Sequence, residues 1–151
     1  MKLKITYLSL LALGFAALVV TPARSQESKT ATLEVKVNYS GSGTVNDKNK
    51  IYVVIWDTPD FMSGGGSMPM EVQAVTTKDG TAVFSAVSKN PVYVSAAFDP
   101  TGKWDAQSGP PPSGTSLAVY SKEPGKPAPI ETPSGKKASI DLPFDDSFKM
   151  P

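Results

Sequence analysis

The chain contains no histidine and no cysteine, and its single arginine, Arg24, stands close to the N-terminus. Imidazole is the usual proton shuttle near neutral pH and the commonest metal ligand, while thiolate is the usual soft nucleophile. Ser-His-Asp and Cys-His catalysis, tetrahedral zinc sites, haem attachment, disulfides and a lipoprotein cysteine are therefore excluded within this chain. Charged residues are also sparse, at 19%, and among the lysines only Lys136 and Lys137 are adjacent. Binding to a phosphate backbone needs clustered Lys and Arg, so nucleic acid is not an expected partner. A chain this poor in reactive groups is expected to bind rather than to catalyse.

What is present fits one domain with many turns. A length of 151 residues gives room for a single core, and twelve glycines with fourteen prolines suit short strands. Residues 1–25 read as an export signal: Lys2 and Lys4 precede a mostly apolar run over 5–20, Pro22 breaks it, and Ala23-Arg24-Ser25 offers small residues where a signal peptidase cuts. A run of sixteen residues is short for a membrane span of ~20, so no stable span is expected after cleavage, and the compartment expected is the periplasm or the outside of the cell. Loss of this segment would leave the fourteen acidic residues slightly in excess of the remaining lysines. With no disulfide available, the exported chain must rest on an ordinary hydrophobic core.

The pattern beyond the signal is that of strands. A polar linker is expected over 26–31, a β-sandwich over 32–143 and a C-terminal tail over 144–151. Leu33, Val35, Val37 and Tyr39 alternate with polar residues, which predicts a strand with one wet face. The run IYVVIW over 51–56 has no charged residue and predicts a central strand covered on both sides. A loop over 57–69 with three consecutive glycines follows. Further strands are predicted over 70–77, 81–87 and 92–98, with Lys78-Asp79-Gly80 as a tight hairpin turn. Within 81–87, Ala82, Phe84 and Ala86 are expected on one face and Val83, Ser85 and Val87 on the other. Ten of the fourteen prolines come after Asp99, so only 116–120 and 137–142 are expected as strands there. The fold class predicted is an all-β, antiparallel Greek-key sandwich of about seven strands.

The segments IYVVIWDTPDF, TTKDGTAVFSAV and VYVSAAFDPTGKWD, in that order, resemble the carboxypeptidase regulatory-like, or transthyretin-like, β-sandwich modules of exported bacterial proteins. The likeness spans roughly 33–142 and is carried by Lys78-Asp79-Gly80-Thr81 and by the strand from Tyr93 to Asp99 leading into a polar loop. It implies a folding and interaction module. Two enzyme families with similar sandwiches, hydroxyisourate hydrolases and intradiol dioxygenases, need histidines that this chain does not contain. Related modules often place a calcium loop where this chain has residues 99–105. Asp99, Thr101 and Asp105 are the candidate oxygen ligands there, opposed by Lys103; the alternative is a turn closed by aspartate hydrogen bonds to the backbone.

Two other groups stand as candidates. Met62, Met68 and Met70 are soft thioethers close in sequence, which suits Cu(I), against a reading as loose packing. Tyr52, Trp56, Tyr93, Trp104 and Tyr120 are aromatic residues able to form a stacking platform for carbohydrate or peptide if they share a surface. Trp104, in a loop, and Tyr120 are the ligand-binding candidates, while Trp56 and Tyr93 are expected to pack in strands. Asp145-Asp146 reads as a solvated pair. The function expected is protein or cell-envelope interaction through the loops 57–69 and 99–116, including strand addition to an open sheet edge. Carbohydrate or metal binding is the alternative.

Overall fold

The computed structural model describes residues 30–63 and 67–151. The expected signal, most of the expected linker and the three glycines at 64–66 lie outside the described residues. Nine strands are described: β1 Ala31–Tyr39, β2 Ile51–Trp56, β3 Glu71–Val75, β4 Thr81–Val87, β5 Tyr93–Phe98, β6 Ser116–Val119, β7 Ser121–Glu123, β8 Lys126–Pro127 and β9 Lys137–Phe144. One short 3-10 helix, Pro59–Ser63, sits in the loop after β2. The strands form a three-stranded sheet in the order β4-β1-β9, a four-stranded sheet in the order β3-β2-β5-β6, and a small β7-β8 ribbon. The chain is thus an all-β sandwich, and all ladders between named strands are antiparallel except β1 with β9, which is parallel.

The two main sheets close on one core. Leu33, Val35, Val37, Phe84 and Leu142 point into it from the three-stranded sheet, and Ile51, Val53, Ile55, Val94, Ala96 and Phe98 from the four-stranded one. The alternation along β1 does what period two requires, burying every second residue from Ala31 to Tyr39. Full burial of a side chain such as Phe84 is worth ~1.5–3 kcal/mol relative to exposure. These inward rows make the sandwich cohere without a covalent staple.

Three expectations are corrected. First, Lys78-Asp79-Gly80 does not close a hairpin within one sheet: β3 pairs with β2, β4 pairs with β1, and the turn carries the chain from one sheet to the other. Lys78 and Gly80 instead extend the β1 ladder, their carbonyls accepting from the Tyr39 and Val37 N–H groups at 2.9 Å each. Second, alternation along β4 breaks. Ala31 pairs with Val87 and Leu33 with Phe84, so an extra residue bulges out and Val87 joins Phe84 in the core while Ala86 is exposed.

Third, residues 144–151 are part of the domain and not a tail. β9 runs to Phe144, and Asp146, read from sequence as solvated, accepts from Tyr39 Oη at 2.7 Å, Ser42 N at 2.8 Å, Ser42 Oγ at 3.0 Å and Ser116 Oγ at 2.8 Å. The bonds from Tyr39 and Ser42 hold its carboxyl well below the usual carboxylate range. Burial and the same contact push Tyr39 up to about 12. Beyond it the chain lies along the outer edge of β6, with Leu117 N donating to Phe148 O at 2.9 Å and Met150 N to Thr115 O at 2.8 Å. One carboxylate therefore joins β1, β6 and the C-terminal segment.

Candidate functional site

The two outward-facing sheet surfaces differ in chemistry. On the three-stranded sheet, β1 and β9 show Glu34, Lys36, Asn38, Lys137, Ser139 and Asp141 at matching register positions. Lys137 Nζ meets Glu34 Oε1 at 2.7 Å, and Asn38 Nδ2 donates to Asp141 Oδ1 at 3.4 Å. This surface is an ordinary wet one. On the four-stranded sheet, Tyr52, Val54 and Trp56 of β2 lie opposite Ala97, Ser95 and Tyr93 of β5, with Val72 and Ala74 on one flank and Leu117 and Val119 on the other. None of these ten positions carries a charge.

Each end of this surface is built by a loop folding back over it. After β2 the 3-10 helix lays Phe61 on Trp56, ring centroids 4.8 Å apart and planes 9° from parallel. The Trp56 indole is fixed in its plane because Nε1 donates to Ser95 Oγ at 2.9 Å. After β5 the loop brings Trp104 edge-on to Tyr52, with centroids 5.1 Å apart and an interplanar angle of 79°. Tyr52 Oη donates to Trp104 O at 3.3 Å, and Trp104 Nε1 donates to Gly109 O at 3.2 Å. Burial first, then the charges of Asp99 and Asp105, push the Tyr52 hydroxyl above its ordinary pKa. The indole N–H groups and the Tyr52 hydroxyl are thus engaged within the protein, so what these rings offer outward is flat, polarisable area.

Asp99 explains why the second loop holds its shape. Its side chain is almost fully buried, and its carboxylate accepts from Thr101 N at 2.9 Å, Thr101 Oγ1 at 2.7 Å and Trp104 N at 3.0 Å. Burial alone would raise its pKa, but these bonds outweigh it and hold the carboxyl below its ordinary value. Asp105 turns to a different task, accepting from Gln107 N at 3.0 Å. The calcium candidates Asp99, Thr101 and Asp105 therefore form two successive backbone turns. Among the described residues no group of three or more acidic residues is placed to hold a metal ion. Gly102 has φ +63°, the left-handed conformation the tight loop needs.

The structure places the remaining candidates separately. Tyr120 sits at the next register position after Val119, donates its N–H to Val94 O at 2.9 Å, and packs against the core on the inward side, away from Trp104. Of the methionines, Met62 lines a cleft beside β6, Met68 is 80% exposed and Met70 packs against the core. Phe61 is the member of the aromatic surface that sequence reasoning missed; the available signal was an aromatic residue in the loop five positions after Trp56. Comparison with protein-family models, with curated proteins and with solved structures gives no match for this chain.

Proposed function

We propose that this chain is an exported, non-catalytic binding module that holds a protein or another cell-envelope component against the outer face of its four-stranded sheet. The observation that carries this reading is the asymmetry between the two sheets: one outer face is laced with charges, and the other has no charge at ten register positions and carries five aromatic residues, Tyr52, Trp56, Phe61, Tyr93 and Trp104. Both loops expected from sequence to make contacts supply part of that face, Phe61 from one and Trp104 from the other. Resemblance to transthyretin-like modules of exported proteins agrees with such a role. The absence of histidine and cysteine from the whole chain agrees with binding rather than turnover.

A carbohydrate polymer is the second reading, favoured by the Trp56 and Tyr93 rings standing at opposed positions with the indole N–H already engaged. Among the described residues no helix is long and apolar enough to cross a membrane.

Retention of the purified protein on immobilised envelope extract tests the proposal, with Tyr93→Ser and Trp56→Ala as variants. Retention should fall at least tenfold in both variants while their circular dichroism stays β-type. Protease treatment of the extract should abolish retention if the partner is a protein and leave it intact if the partner is a polysaccharide. Equal retention of wild type and both variants would reject this surface.

A further inference from the structure

A second feature lies at the edge of the same sheet. In the β5–β6 ladder Tyr120 N donates to Val94 O, which makes Val94–Tyr120 and Ala96–Ala118 the pairs that exchange hydrogen bonds. By the same alternation, the main-chain groups of Leu117 and Val119 point away from β5. The C-terminal segment covers the first part of that edge, taking the Leu117 N–H on Phe148 O at 2.9 Å. It then turns away at Ser147, whose hydroxyl and N–H are held by Asp145 Oδ1. The Leu117 carbonyl and both main-chain groups of Val119 are left without a partner among the described residues.

These groups open onto a cleft of about 480 Å³ between β6, the β7–β8 ribbon and residues 143–148. Its apolar lining includes Met62, Leu117, Val119, Phe144 and Phe148. Met62 and Phe148 are 48% and 47% exposed, and large apolar side chains left open beside unpaired strand groups are unusual on a sheet edge. The rim carries one ammonium, Lys126, and one carboxylate, Asp145, so it presents no excess charge of either sign. That balance matches an uncharged polypeptide strand better than a charged polymer.

We propose that this cleft is a strand-addition site for an extended segment of a partner protein. The segment would continue the cover that residues 148–150 begin on β6. It would take the Val119 N–H and the Leu117 and Val119 carbonyls into a new ladder, and place alternate apolar side chains against Met62, Phe144 and Phe148. This site adjoins the aromatic face and shares Leu117 and Val119 with it, but it reads main chain along an edge rather than ring area on a surface.

Selection of a phage-displayed random dodecapeptide library on the purified protein tests the assignment. Enriched peptides should carry apolar residues at alternate positions. Their affinity should fall at least tenfold for Val119→Pro, which removes the edge donor at a position where proline is tolerated, and stay within twofold for Val83→Ala, an exposed position on the three-stranded sheet. Phe148→Ala should weaken binding several-fold, and N-methylation of alternate amides in the synthetic peptide should abolish it; these two arms serve should Val119→Pro fail to fold. Absence of enrichment, enriched peptides without alternation, or binding indifferent to N-methylation would overturn the proposal. So would a wild-type dimer in sedimentation that Val119→Pro dissociates, since the occupant would then be a second copy.

Discussion

Replacing Asp146 by alanine should destabilise the fold by about 3 kcal/mol. The side chain accepts four hydrogen bonds, and bonds to a charged acceptor are each worth ~1.5–3 kcal/mol net. The two Ser42 donors are exposed enough for water to replace the lost partner, whereas Tyr39 and Ser116 are buried and their hydroxyls would be stranded. Two effective bonds at the low end of the range give the figure. Asp146→Asn keeps the shape and one acceptor oxygen, so about half that loss, ~1.5 kcal/mol, is expected. The pH dependence follows from the two shifted groups. Because the Asp146 pKa is depressed on folding, its contribution is complete above the unfolded value of ~3.9 and disappears as pH falls below it toward the folded value. Because Tyr39 is raised to about 12 from 10.0, its contribution is complete below pH 10.0 and is lost as pH rises toward about 12. Urea unfolding followed by the fluorescence of Trp56 and Trp104 should show a wild-type minus Asp146→Ala difference that is flat from pH ~5 to ~9 and narrows at both ends. A difference under ~0.5 kcal/mol, or one unchanged down to pH ~2.5, would refute the reasoning.

Other outcomes follow from the same structure. Phe84→Ala, at a fully buried position in the inner row of β4, should cost ~3–5 kcal/mol by urea unfolding. Gly43→Ala should be strongly destabilising, by ~1–3 kcal/mol, because a Cβ there would lie 2.1 Å from the Phe98 ring; a neutral thermal midpoint would contradict that packing. Asp99→Ala should loosen the loop that seats Trp104 on Tyr52, seen as a red-shifted tryptophan emission and a loss of ~1–3 kcal/mol. Millimolar calcium should leave the thermal midpoint of the wild type unchanged, since the Asp99 carboxylate already takes three donors from its own loop.

The strands were legible because their side-chain rows obey period two, in β4 as far as its bulge, or are wholly apolar: β1, β2, β4, β5, β6 and β9 all overlap the segments expected from sequence, and β3 falls inside 70–77. What escaped was non-local. The parallel docking of β9 beside β1 and the passage of the 78–80 turn between sheets depend on which strands meet, which alternation does not encode. Asp146 looked solvated because its partners Tyr39 and Ser42 stand 107 and 104 positions away. The ribbon of β7 and β8 is too short and too proline-flanked to leave a periodic signal.

The candidate surface was half legible. Period two already puts Tyr52 and Trp56 on one side of β2, but an all-apolar strand gives no sign of which side faces solvent. Only the packing of Ile51, Val53 and Ile55 into the core shows that the rings stand on the outer one. Tyr120 shows the same limit from the other side, since one further residue along β6 turns it inward. The calcium candidates at 99–105 came from the resemblance, and in the fold the Asp99 carboxylate closes its own loop.

Hydroxyl-radical footprinting of the protein alone and bound to envelope extract tests the central claim most directly, because it reads both sheet surfaces in one measurement. Slower oxidation of Trp56, Phe61, Tyr93 and Trp104 on binding, with the exposed Val83 of the three-stranded sheet unchanged, is the predicted result. Protection of Val83 with the four aromatic residues unaffected would contradict the account.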